Sequence, residues 1–349
     1  MRLLIVKRGA LGDVIRTSYF ARAIKEEHKG NSQITWLTGP ASVPLLQFNP
    51  WVDRTVTAFS DCSSESYDRI YSLDDERETL QGVATLKTHS ISGAYLDKDQ
   101  AKYTEDTSEW FDMGLLSRFG KKRADELKKA NQKGHAEIFS QIFGVRHIQP
   151  HLYGDPVEEE WARKWLEEEY FHIAINPFAG GRWPSKEMRE SELATLVSNT
   201  LEFQPPDGRP VRVVLLGAGS DRDRNLSIAG QFLSDRLWVA DTDASVLRLA
   251  AVIRFSNVLI SSDSLALHLG ISQRVPFVSF FAPTSAAEID DFGLGIKIIS
   301  TSADYCSYKR DADNSSLTAN RAMQAFNSLK ERWMFSGVKQ FEPVGDSLP

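Results

Sequence analysis

Four stretches of this sequence gather acids, cations, hydroxyls and glycines where an apolar run stops. The first is KRGALGDVIRTS, residues 7 to 18, directly after Leu3-Leu4-Ile5-Val6. Gly9 and Gly12 let backbone approach a ligand closely, and Asp13 stands at the mouth of the helix that follows. A carboxylate there serves as a helix cap, a ribose ligand or a catalytic base. The spacing G-x-x-G-D is neither G-x-G-x-x-G nor a P-loop, so the stretch carries no dinucleotide fingerprint.

NPFAGGRWPSKEMRESEL, residues 176 to 193, is the second. Gly181, Arg182 and Lys186 put two cations beside flexible backbone N–H groups, which suits a phosphate or pyrophosphate; an ordinary basic loop is the plain alternative. The third, LLGAGSDRDR, closes a buried run with Gly217 and Gly219 and follows it with Asp221. Asp221 is able to bind ribose hydroxyls or, like Ser220, to cap the next helix. In the fourth, LISSDSLALHLG, Ser261, Ser262, Asp263 and Ser264 end one run and open a helix. Hydroxyls and free N–H groups at such a point cradle phosphate. His268 lies one turn beyond Ser264, on the same helix face. A lone histidine on an apolar helix is usually a satisfied core residue, but here its companions are polar. FFAPTS then brings Thr284 to the same edge.

These stretches need a scaffold, and the periodicity supplies one. Short apolar runs at 3–6, 34–37, 55–59 and 69–73 alternate with a helix at 14–29, so the first half reads as a parallel sheet covered by helices. The alternation stops at 75–148. That region contains the aromatic cluster Trp110 to Met113 and the most basic segment of the chain, with Arg118, Lys121, Lys122 and Arg123 at its head. An acidic run, helical from Val157, marks a boundary near 155–170. Strands are then expected at 172–176, 211–216, 237–240 and 258–260, with VPFVSFF, 275–281, as the last. Helices lie between them, making a second doubly wound unit.

Composition narrows the functional classes. The 349 residues suit two domains, and a net charge of −6 argues against a nucleic-acid partner. Two distant cysteines, Cys62 and Cys306, indicate neither a disulfide framework nor a metal site. The opening apolar run is too short for a signal peptide, and no run nears the roughly 18 apolar residues of a membrane span. A soluble, cytoplasmic protein is expected.

Taken together, the segments resemble glycosyltransferase family 9, the ADP-heptose:lipopolysaccharide heptosyltransferases. LLIVKRGALGDVIRTS is similar to the family's opening strand, glycine loop and Gly-Asp pair, and ITWLTGPASVPLLQFNPWVDRTV to its second strand and Asn-Pro-x-Val-Asp segment. INPFAGGRWPSKEM resembles the start of its C-terminal domain, and VLISSDSLALHLGISQRVPFVSFFAPTS its donor-binding stretch. Leu265 stands where the family usually has glycine, Met188 where it has tryptophan, and 75–143 departs from the lipopolysaccharide enzymes.

The resemblance implies an α/β fold of GT-B architecture, two Rossmann-like doubly wound domains facing a cleft. Residues 1–160 would form an acceptor domain carrying the base, 161–335 a nucleotide-sugar donor domain, and 336–349 a surface tail. It implies inverting, metal-independent transfer of a sugar, heptose from ADP-heptose by the family's name, with no cofactor. Asp13 matches the catalytic aspartate. Lys186 matches the lysine on the donor phosphate, and Asp263, Ser264 and His268 match donor-site positions. Gly12, Gly181, Arg182, Asp221 and Thr284 complete the expected donor site. Arg118, Lys121, Lys122 and Arg123 are the candidate contacts to a glycolipid or other saccharide acceptor, with peripheral contact at the inner face of a membrane. A nucleotide-sugar-binding protein that has lost turnover is the alternative; a dehydrogenase lacks its glycine fingerprint.

Overall fold

The computed structural model describes residues 1–181 and 183–336; Arg182 and the expected tail beyond 336 lie outside the described residues. Two six-stranded sheets organise the chain. The first holds β1 (Arg2–Val6), β2 (Gln33–Leu37), β3 (Arg54–Val56), β4 (Arg69–Ser72), β5 (Ile91–Asp97) and β6 (Gln100–Tyr103). The second holds β7 (Phe171–Asn176), β8 (Val211–Leu215), β9 (Leu237–Val239), β10 (Val258–Ser262), β11 (Phe277–Phe281) and β12 (Gly295–Ile299). The orders are the same: β3-β2-β1-β4-β5-β6 and β9-β8-β7-β10-β11-β12. Strand order therefore reverses between β1 and β4 and between β7 and β10, and ligands of open α/β sheets bind outside such points.

The strands are continuous apolar runs because both faces are covered. Leu3, Leu4, Ile5 and Val6 have no exposed surface, nor have Val258, Leu259 and Ile260. Burying each such side chain contributes roughly 1.5–3 kcal/mol. At the carboxyl ends the residues turn polar: Ser72, Asn176, Ser261 and Ser262 are all buried there.

Three expectations are corrected. The helix read at 14–29 starts earlier and is two, Leu11–Ser18 and Phe20–Glu27. The Thr17 hydroxyl donates to the Asp13 carbonyl at 2.7 Å and the Ser18 hydroxyl to that of Ile15 at 3.1 Å; such back-bonding bends helices. Region 75–148 contains the β5–β6 hairpin, the one antiparallel pair of the two sheets, and the helices Gly120–Ala130 and His135–Phe143. VPFVSFF is not the last strand, since β12 pairs parallel to β11 beyond it.

The two units share a boundary of side chains. Helix Leu11–Ser18 lies against helix Leu265–Ser272, and Ile15 and Leu45 join the core cluster that holds Leu267 and Ile271. Helix Pro156–Leu166, N-capped by Asp155, buries Ala162 and Leu166 in that cluster, and position 160 falls inside it. Loop 286–292 reaches the other way. The His135 N–H donates to the Glu288 carbonyl at 3.0 Å and the Ala136 N–H to Asp290 Oδ2 at 2.7 Å. Among the described residues no helix is long and apolar enough to cross a membrane.

Asp290 thus caps a helix of the opposite unit. Asp290→Ala is expected to lower unfolding free energy by about 1 kcal/mol, read from urea midpoints, with Asp290→Asn closer to wild type. An unchanged midpoint in the alanine variant would show that the cap is idle.

Candidate active site

At the first switch point four charges form a chain. Lys7 follows β1, Asp74 lies just beyond β4, and Lys7 Nζ is 2.5 Å from Asp74 Oδ1. The same ammonium lies 3.7 Å from Asp13 Oδ2, and Arg16 Nη2 lies 2.7 Å from Asp13 Oδ1. Asp13 is not the helix cap, because Ala10 occupies that position and Asp13 sits in the first turn. Burial disfavours its charge, but Arg16, then Lys7 and His268, outweigh that and bring its pKa to about 2. The Arg16 guanidinium also covers Trp110, 5.3 Å from the ring centre.

The second switch point carries a similar pair. Lys186 Nζ is 2.8 Å from Asp263 Oδ2 and donates to the Asp263 carbonyl at 3.2 Å; the Thr284 hydroxyl donates to the same Oδ2 at 2.6 Å. These contacts, Lys186 first, hold Asp263 ionised below the usual carboxylate range against its burial. Ser264 is the N-cap residue of helix 265–272 yet makes no side-chain cap bond. Its hydroxyl instead accepts from Asn176 Nδ2 at 3.0 Å, which leaves the helix's first N–H groups for an anion. Gly180 and Gly181, with φ of +71° and +70°, turn the neighbouring loop through conformations that disfavour a side chain. Asp221 faces this loop: its Oδ2 accepts the Gly180 N–H at 2.8 Å, and burial raises its pKa.

His268 joins the two clusters. A β-carbon on Gly12 would stand 2.5 Å from His268 Cδ2, so the imidazole occupies the side-chain space Gly12 lacks. Burial, reinforced by Arg16, lowers the His268 pKa to about 4 despite Asp263 and Asp13. It is a neutral ring at physiological pH. Beside it a small cavity, about 30 Å³, is lined by Arg16, Tyr19, His135, His268, Glu288 and Asp290, contributed by both units. Asp13 and Lys186 do not line that cavity; around His268 stand the ionised Asp13 of the first unit and the Lys186–Asp263 pair of the second.

This is the GT-B fold. Solved structures share it along nearly the whole chain at low sequence identity. E. coli ADP-heptose LPS heptosyltransferase II is 16% identical, with 96% of this chain and 100% of that one covered and a TM-score of 0.67. The glycosyl transferase family 9 protein from Veillonella parvula is 17% identical over 95% and 97% of the two chains, TM-score 0.70. E. coli heptosyltransferase WaaC with ADP is 16% identical over 95% and 99%, TM-score 0.62. The sequence matches no protein-family model and no curated protein.

Of the expected donor residues, Gly12, Lys186, Asp263, Ser264, His268 and Thr284 come together. Gly181 belongs to the adjoining loop, Asp221 faces that loop from the first turn of helix Ser220–Ala229, and Arg182 lies outside the described residues. The basic segment is largely paired on its own surface. Arg118 meets Glu105 at 2.8 Å and Asp112 at 3.0 Å, Lys121 meets Asp125 at 2.6 Å, and Arg123 meets Glu126 at 3.0 Å. Lys122 lies exposed on the same helix. Further along it, Lys128 Nζ sits 3.9 Å from the centre of the Tyr308 ring in the other unit. The sequence reading missed Lys7, Asp74 and Arg16 as site residues. Their signal was positional: Lys7 and Asp74 each follow a buried strand at the switch point. Among the described residues no group of three His, Cys, Asp or Glu side chains is placed to hold a metal ion.

A histidine held near pKa 4 stays neutral in the fold while its unfolded counterpart charges below about 6.5. Its contribution to stability is therefore lost as pH falls through that window. His268→Gln is expected to flatten the decline of the urea midpoint between pH 6.5 and 4.5. Parallel declines in variant and wild type would contradict a buried neutral His268.

Proposed function

We propose that this chain is a glycosyltransferase that moves a sugar from a nucleotide-sugar donor to an acceptor hydroxyl. The observation that carries the reading is the meeting of Asp13 from one unit with Lys186, Asp263, Thr284 and His268 from the other across one cleft. The donor diphosphate lies at Lys186 and the N-terminus of helix 265–272, with Gly180 and Gly181 giving the phosphates room. Asp263 holds Lys186 in place, and the Thr284 hydroxyl in turn holds Asp263.

Transfer then balances simply. The acceptor oxygen attacks the anomeric carbon while its proton passes to Asp13 Oδ2, the oxygen not held by Arg16. The bond from that carbon to the diphosphate oxygen breaks, and its electron pair leaves with the nucleoside diphosphate. Attack opposite the leaving group inverts the anomeric centre. Lys186 and the helix N–H groups offset the charge building on the diphosphate, so the step proceeds without a metal ion. An Asp13 held near pKa 2 is ionised and ready, though weakly basic.

ADP-heptose is the favoured donor, since heptosyltransferases named with ADP and with an ADP-fluoroheptose have this fold. The acceptor suggested is an anionic glycolipid or related saccharide, in lipopolysaccharide or similar synthesis. It would approach along the basic segment 118–130, where Arg118, Lys121, Lys122 and Arg123 are exposed. The second reading is a donor-binding protein without turnover, favoured by the guanidinium seated on Asp13.

Isothermal titration with ADP-heptose, GDP-mannose and UDP-glucose in EDTA is expected to reveal one bound donor, followed by transfer assays with that donor. Asp13→Asn should keep donor affinity within about twofold and lose transfer by roughly 10²–10⁴. Lys186→Ala should weaken donor binding roughly ten- to hundredfold. Full transfer by Asp13→Asn would overturn the mechanism, and donor binding with no transfer by wild type to any glycolipid acceptor would favour the second reading.

A further inference from the structure

Among the described residues two largely buried lysine–aspartate pairs stand at the switch points, and the proposed function uses only one. Lys186 and Asp263 straddle the β7/β10 switch point; Lys7 and Asp74 straddle the β1/β4 switch point in the corresponding place. In the donor unit the lysine contacts Asp263 and remains 18% exposed, and the proposed function gives it the donor diphosphate. In the first unit the lysine's second anion is the chain's own carboxylate, Asp13, at 3.7 Å.

We infer that Lys7, held by Asp74, is a positioning residue for transfer: it fixes the glycine loop and aims an ionised Asp13 into the cleft. This rests on the reading of Asp13 as base. Both Asp74 oxygens are spent internally, Oδ1 on Lys7 Nζ and Oδ2 on the Arg8 N–H, each at 2.5 Å. Asp74 therefore has a holding role rather than a ligand role.

The backbone around Lys7 is pinned as well. Its N–H donates to the Leu37 carbonyl at 3.0 Å, and its own carbonyl accepts the Thr38 hydroxyl at 2.9 Å. The Gly39 N–H donates to the Arg8 carbonyl at 3.0 Å, so closely that a β-carbon on Gly39 would lie 2.6 Å from that oxygen. Loop 7–12 is thus held by the ends of two neighbouring strands.

A purely structural ion pair is the competing account. Side chains only 12% and 2% exposed make such a pair costly by itself. The cost is answered by the third and fourth charges, because Asp74, Lys7, Asp13 and Arg16 alternate in sign and sum to zero. Two cations also distinguish the oxygens of Asp13: Arg16 occupies Oδ1 at 2.7 Å, and Lys7 stands 3.7 Å from Oδ2, beyond hydrogen-bond distance.

The test uses full-length Lys7→Met, Lys7→Arg and Asp74→Asn with two readouts. Hydrogen-exchange mass spectrometry on the free protein needs no substrate. Lys7→Met and Asp74→Asn should speed exchange across residues 8–13 by about tenfold or more, with Lys7→Arg nearer wild type. In transfer assays the first two should lower kcat by at least about tenfold at unchanged donor KM. The acid limb of the Lys7→Met profile should move to higher pH, because Asp13 loses a cation, and Lys7→Arg should restore it. Wild-type exchange, or lost kcat with an unmoved acid limb, overturns the inference. Should Lys7→Met not fold, Asp74→Asn and Lys7→Arg decide by the same two criteria. If wild type transfers nothing, the proposed function falls while exchange still decides the clamp.

Discussion

Gly12 has no side chain, and the His268 imidazole fills the place where one would be. That contact constrains the rest of the cleft. It brings the N-terminal part of helix 11–18 against helix 265–272, so two switch points from separate sheets open onto a common space. Any side chain at position 12 would displace the His268 ring. Ile15, one turn along, closes the seam by entering the core of the opposite unit.

The electrostatics follow from this closeness. Asp13, Asp74, Asp263, Lys7, Arg16 and Lys186 occupy a region of low exposure, where an unpaired charge is expensive. Each is paired: Asp74 with Lys7, Asp13 with Arg16 and Lys7, Asp263 with Lys186. His268 sits among them uncharged, because burial and Arg16 outweigh the neighbouring carboxylates. A neutral ring adds a hydrogen-bonding edge without disturbing that balance.

Much of this was legible in the sequence because buried parallel strands are nearly pure apolar runs. Leu3 to Val6, Val211 to Leu215 and Val258 to Ile260 announce themselves, and the polar residues that stop them mark the ligand edge. The repeated strand order was less visible, since β12 is interrupted by Lys297 and the β5–β6 hairpin is half exposed. The candidate donor residues were legible through type and spacing along one segment each. Lys7, Asp74 and Arg16 were missed because their roles arise from pairing across 67 residues in one case and from a helix-turn contact in the other. The basic segment is less free than its composition suggests: i,i+3 and i,i+4 acids pair Lys121 and Arg123, while Glu105 and Asp112 hold Arg118.

The central claim is that donor and base come from opposite units and meet in one cleft. A crystal structure with a bound nucleotide-sugar or its unreactive analogue tests it most directly. The account predicts the diphosphate on Lys186 and the N–H groups opening helix 265–272, with the anomeric carbon turned toward Asp13. Nucleotide bound along β1 and helix 11–18, with the second unit's edge vacant, would contradict it.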